Sequence, residues 1–184
     1  KSERFLYLYS RLAKTVCEIL ERLVLEFGVC SFEPVDFELK IDNDGDIKPY
    51  KITLDNGDAV SIRGSVDRVD KYELGGRQFI RIVDYKSGDR KFALSDALNG
   101  LNLQMLLYLF AVWENGGARY GGDVVPSGIL YMPAKADFEG TKRDADEKII
   151  SMQKARALRM SGMLLKDELI ITAMDSTASG VFIP

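Results

Sequence analysis

The 184-residue chain contains no histidine. That absence removes imidazole general-base chemistry and any Ser-His-Asp triad. Cysteine is nearly as scarce. Cys17 and Cys30 are too few for a disulfide framework, and they lack the number and spacing of a closed zinc or iron–sulfur site. They read as two free thiols of a reducing cytoplasm. No apolar run approaches the roughly 18 residues that a membrane span needs. The charged opening, Lys1 to Arg4, lacks the apolar centre of a secretory signal. A Gly-x-x-x-x-Gly-Lys-Ser/Thr phosphate loop is also missing, so no nucleotide-driven motor is expected in this stretch. There is no initiator methionine, and we expect a piece of a longer protein.

What remains is a soluble, globular composition. Hydrophobic residues make up 46% and charged residues 29% of the chain, and the length suits one domain with its own core. The net charge is −3, which argues against a broadly basic surface. Any polyanion would have to meet a local basic patch.

The pattern along the chain predicts a helix over 3–27, with Leu6, Leu12, Val16, Ile19, Leu20 and Leu23 at helical spacing and Gly28 as its stop. A strand is expected over 35–41, a turn over 42–46 and a second extended segment near 48–54. Asn56-Gly57 is a hairpin turn signal leading into one strand over 58–70. Gly75-Gly76 marks another hairpin, with a returning strand from Phe79 to Lys86. Residues 95–115 read as one helix with Ser95 as N-cap, Asp96 in its first turn and Gly116-Gly117 at its end. A buried strand is expected over 124–131, a charged surface loop over 134–148 and a helical tail over 166–174. The order implies an α/β or α+β layer, with helices packed on a mixed sheet.

The stretch that carries chemistry is Gly64-Ser65-Val66-Asp67-Arg68-Val69-Asp70, followed by Ile82-Val83-Asp84-Tyr85-Lys86-Ser87-Gly88. If Gly75 and Gly76 form a two-residue loop, Asp67 falls opposite Asp84 and Ser65 opposite Lys86. Opposed residues share a face, as do residues 84 and 86 along one strand. A plain hairpin thus gathers Asp67, Asp84 and Lys86. Two nearby carboxylates repel unless a cation or proton intervenes. A hard divalent ion meets that need, acidifies a bound water and neutralises charge building on a phosphodiester, while a lysine orients the attacking water. An Asp-x-Lys triplet at a strand end also suits a simple surface ion pair between Asp67 and Lys86, and that alternative stands.

Gly64-x-x-Asp67 followed by Asp84-Tyr85-Lys86 resembles the signature of RecB/AddB-type exonucleases of the PD-(D/E)xK superfamily. Gln104 and Tyr108, four apart and so on one helical face, match that family's Gln-x-x-x-Tyr motif on the following helix. Phe32 to Glu38, Arg159 to Gly162 and Lys166 to Glu168 extend the likeness. The resemblance implies a restriction-endonuclease-like core forming a single nuclease domain over 1–184. It implies Asp67 and Asp84 as metal ligands, the Tyr85 carbonyl as a third, Lys86 as the catalytic lysine and Gln104 and Tyr108 as supporting residues. Mg²⁺ or Mn²⁺ is the implied cofactor, DNA the substrate, and a helicase-nuclease partner subunit the company of the whole protein. Arg68 and Asp70 alternate to the other face from Asp67 and are expected to be structural. The basic patch for DNA is sought at Lys86, Arg90 and Lys91.

The family usually adds an upstream histidine or acid to the metal site. Glu18, Glu21 and Glu38 are the candidates here, each equally suited to a solvated face; otherwise the motif helix lies before residue 1. The cysteines of the iron–sulfur cluster found in AddB-type proteins are not matched, so no cluster is expected in this piece. Two competing expectations are a non-catalytic DNA-binding or scaffolding module that keeps the fold, and a CRISPR-associated or phage exonuclease with the same fold.

Overall fold

A computed structural model describes residues 2–88, 92–134, 153 and 155–184. Helix α1 spans Glu3–Phe27, with the Ser2 hydroxyl accepting from the Phe5 amide at its start and Gly28 at its end. Five strands form the main sheet: β1 (Glu33–Ile41), β4 (Gly64–Leu74), β5 (Arg77–Lys86), β6 (Asp123–Pro133) and β7 (Ser161–Leu164), adjacent in that order. All neighbours are antiparallel except β5 and β6, which run parallel, so the sheet is mixed as the sequence implied. Strands β2 (Tyr50–Thr53) and β3 (Ala59–Ile62) form a separate small hairpin.

The β4–β5 hairpin closes on Gly75 and Gly76, both at positive φ, where a side chain would be strained. Leu74 pairs with Arg77, and the register runs unbroken to Arg68 opposite Val83. The two-residue loop inferred from the sequence is therefore the one that forms.

Helices cover both sheet faces. Helix α3 (Gln104–Asn115) packs Met105, Leu109 and Val112 against Leu39, Val66, Val69, Ile80 and Ile82. On the other face, α5 (Glu168–Met174) packs Ile170 and Met174 against Phe79, Val83, Leu130 and Met132, and Ile19 and Leu23 of α1 join that side. Helix α1 turns charge inward: Arg22 and Glu26 are its buried residues. Tyr9, Val16, Leu20 and Val24 are exposed.

Three expectations need correction. The single strand over 58–70 is two, because the chain leaves the small hairpin at Arg63, whose carbonyl faces the Tyr108 hydroxyl at 3.5 Å. The single helix over 95–115 is also two, α2 (Leu94–Leu98) and α3. Gly100 and Asn102 take positive φ between them, and the Asn102 amide donates to the Asp96 carboxylate at 3.0 Å. Ala93, not Ser95, precedes α2, and no side chain caps it. Gly116-Gly117 does end α3, but a further turn, α4 (Gly117–Tyr120), starts at once. The short edge strand β7 was not foreseen; Gly162 there lies so close to the Ile129 carbonyl that a β-carbon would overlap it. The loop expected over 134–148 lies, beyond Ala134, outside the described residues.

Candidate active site at the ends of β4 and β5

The β4–β5 ladder stops at Arg68 and Val83, one pair short of Asp67 and Asp84. Regular alternation also slips there. Val66 and Val69, three apart, both lie in the cluster under α3. On the neighbouring strand Glu38 takes a φ of 52°, between the pairs Phe37–Arg68 and Leu39–Val66. Ser65 accordingly pairs with Lys40 of β1, and the Ser65–Lys86 pairing expected from the plain hairpin does not form.

Beyond the slip the Asp67 side chain takes over from the ladder. Its Oδ2 accepts from the Tyr85 amide at 2.8 Å, standing in for a backbone carbonyl. Residues 84–86 are held from the other side by β6, where Asp84, Tyr85 and Lys86 pair with Tyr131, Met132 and Pro133. The Lys86 carbonyl accepts from the Ala134 amide at 2.8 Å, so by alternation the Tyr85 amide and carbonyl turn towards β4.

Asp84 and Lys86 meet as an ion pair at 2.6 Å, with side chains 17% and 34% exposed. Burial raises the Asp84 carboxyl above its usual range, and the nearby Asp67 charge adds to this; Lys86 opposes it. The Lys86 ammonium also lies 5.4 Å from the Tyr131 ring centroid. Lys86 thus pairs with Asp84 and not with Asp67, the alternative partner the sequence offered, while Asp67 accepts from the Tyr85 amide and lies within electrostatic reach of Asp84.

Gln104 and Tyr108 form a lock at the start of β4. The Gln104 amide donates to the Tyr108 hydroxyl at 2.9 Å. The ring lies against Gly64 so closely that an added β-carbon would overlap the hydroxyl. Here glycine serves close approach, and not an unusual φ. The first glycine of the Gly-x-x-Asp element and the tyrosine of the helix motif are two sides of one contact.

The upstream acids do not join the site. Glu38 is exposed, with its carboxylate 3.5 Å from the Ser65 hydroxyl. Glu18 and Glu21 are on α1, which docks on the opposite sheet face through Glu26. Among the described residues no three of the His, Cys, Asp and Glu side chains converge closely enough to hold a metal by themselves. The donor set near β5 is instead two carboxylates and the β4-facing Tyr85 carbonyl. All are hard oxygens, and one net negative charge remains after Lys86. A small dication that keeps several waters fits such a set. Arg90 and Lys91 lie outside the described residues.

Behind the site is a cluster that motif reasoning missed. Arg68 and Asp70 pair at 2.9 Å, Arg81 and Asp70 at 2.8 Å, and Arg81 and Glu26 at 2.8 Å; Arg68 also approaches Glu26 at 3.4 Å. None of the four side chains is more than 1% exposed. The signal was present as lone charges of opposite sign in apolar runs: Glu26 in Leu-Val-Leu-Glu-Phe and Arg81 in Phe-Ile-Arg-Ile-Val. Arg68 and Asp70 both lie in this buried cluster, with Glu26 and Arg81 as their partners.

A mixed sheet with helices on both faces and an Asp, Asp-x-Lys set at adjacent strand ends define a nuclease core. The model of the PD-(D/E)XK nuclease superfamily matches residues 1–174, and the chain belongs to that superfamily. Its core is accordingly restriction-endonuclease-like. The chain is 36% identical over 176 residues to the B subunit of the ATP-dependent helicase/deoxyribonuclease of Clostridioides difficile, covering 96% of this chain and 15% of that protein. It is 38% identical over 184 residues to the corresponding protein of Acetivibrio thermocellus, covering 97% of this chain and 16% of that one. The chain therefore spans about one sixth of the length of these curated relatives. No helix among the described residues is long and apolar enough to cross a membrane.

Proposed function

We propose that this chain is the nuclease domain of a longer helicase-nuclease subunit and hydrolyses DNA phosphodiester bonds with Mg²⁺ or Mn²⁺. The observation that carries this is the convergence of Asp67, Asp84 and Lys86 where the β4–β5 ladder ends. Asp67, Asp84 and the Tyr85 carbonyl would hold the ion. When bound, it acidifies a water and offsets charge building on the phosphate. Asp67 and Asp84 fix the donor geometry, and Asp67 does so while also holding the Tyr85 amide. Lys86, paired with Asp84 in this structure, would orient the attacking water with its ammonium. Gln104 and Tyr108 hold the start of β4 against α3 and keep Asp67 in place.

By likeness to the relatives, the whole protein would act with a partner subunit, on DNA, in the cytoplasm. Processing of double-strand ends for recombinational repair is the role that fits such an assembly. ATP use would belong to the parts outside this chain. The test is cleavage of labelled linear DNA with Mg²⁺, Mn²⁺ or chelator. Metal-dependent cleavage is expected, reduced on the order of a hundredfold by Lys86→Ala, the scale seen when one charge-stabilising donor is lost. DNA binding without cleavage under every metal condition would favour the scaffolding alternative, which the absence of a third converging carboxylate among the described residues keeps in play.

A further inference from the structure

The segment 84–86 is held on its β6 side by backbone pairing, but on its β4 side by side chains. Two consecutive β4 residues supply them. Asp67 takes the Tyr85 amide, and Arg68 donates to the Tyr85 hydroxyl at 3.0 Å, on the opposite sheet face. The Arg68 guanidinium is in turn fixed by Asp70 and Glu26 and lies 5.3 Å from the Phe27 ring centroid. We propose that Arg68 and the Tyr85 hydroxyl form a positioning pair that sets the geometry of the Asp67–Asp84 metal site from the far side of the sheet, and that Glu26 ties this pair to α1. This rests on the metal-site assignment above.

The physical ground is alternation. Asp84 and Lys86 flank Tyr85, so rotating the Tyr85 side chain about the strand rotates both of them the other way. The Tyr85 carbonyl, the third oxygen of the site, belongs to the same residue. With no β4 ladder at this point, the Arg68–Tyr85 hydrogen bond adds to the packing of the Tyr85 ring on the adjoining core in opposing that rotation on the far face. Partners one shell out from a metal's ligands commonly change its affinity 10- to 100-fold.

The test is calorimetric titration of Mn²⁺ into the chain without DNA, with thermal midpoints measured in parallel. Tyr85→Phe removes the hydroxyl and keeps the ring. The charge-balanced pair Glu26→Gln with Arg68→Met removes the donor and leaves Asp70 and Arg81 paired. We expect each change to weaken Mn²⁺ binding about tenfold, with the midpoint of Tyr85→Phe within a few degrees of the parent. Combining the changes should weaken binding no further than either alone, because both remove one contact. Parent-like Mn²⁺ affinity in Tyr85→Phe and in the double variant, beside loss of binding in Asp84→Asn, would overturn the positioning role and leave the metal site standing. Fully additive effects would overturn it as well. Unchanged binding in Asp84→Asn would remove the metal site and this role with it.

Discussion

Arg81 of β5 donates to Glu26 of α1 at 2.8 Å, with both side chains essentially inaccessible to water. Through this contact and Arg68–Asp70, two cations and two anions are buried as a neutral set behind the Asp84–Lys86 pair. Removing one member leaves an unbalanced buried charge, which costs about 3–5 kcal/mol. Glu26→Ala should lower the urea midpoint by a corresponding amount. The size of that loss reflects the stranded arginines and not the worth of the pair, so replacing all four with apolar residues of similar volume should cost far less.

Gly64 and Tyr108 form a second sharp test. A β-carbon at Gly64 overlaps the Tyr108 hydroxyl; Tyr108 is buried and Gly64 half-buried. Gly64→Ala should destabilise the chain by about 1–3 kcal/mol, the scale for overpacking. Tyr108→Leu in the same chain should relieve part of that loss. Chemical denaturation of the two single variants and the double variant would show it as a coupling of opposite sign to the individual effects.

The apolar residues of α1 divide by direction. Leu20 and Val24 are 55% and 72% exposed, although Leu20 occupies helical spacing that sequence alone would assign to a core. Leu20→Ser and Val24→Ser should each change the stability of this chain by no more than about 0.5 kcal/mol. Ile170→Ala, at a fully buried position, should cost about 2–5 kcal/mol. The comparison needs only thermal or urea unfolding.

Asp84 gives a pH prediction. Its carboxyl is held above the usual range, first by burial and then by Asp67, so folding favours the protonated form. Its contribution to stability is present at low pH and is lost as pH rises through the raised value. In metal-free chain, Asp84→Asn should therefore raise the thermal midpoint near pH 7, and the gain should fade as the pH falls into the range where Asp84 is protonated. Mn²⁺ should reverse the neutral-pH result, since the ion stabilises only the carboxylate.

Much of this site was legible because it depends on local rules. Gly75-Gly76 fixes a two-residue loop, that loop fixes a register, and the register brings Asp67 towards Asp84. Gln104 and Tyr108 were legible as one helical face. What escaped depends on distant contacts. The break at Arg63 comes from the Tyr108 hydroxyl on a helix 45 residues away. The slip at Glu38 and Val66 replaces backbone pairing with the Asp67 side chain, which no period along one strand foretells. The Asn99-Gly100 turn is a local feature set within an apolar run of helical spacing, and Gly100 takes positive φ there. Glu26 and Arg81 are 55 residues apart, and only the fold shows that they meet.

The central claim is that Asp67 and Asp84 form one site for a divalent ion. Its most direct test is titration of Mn²⁺ into the purified chain by calorimetry, beside Asp67→Ala and Asp84→Ala. The account predicts saturable binding in the parent that disappears in both variants. Parent-like binding in either variant, or no saturable binding in the parent, would contradict it and leave the two carboxylates as structural partners of the Tyr85 amide and Lys86.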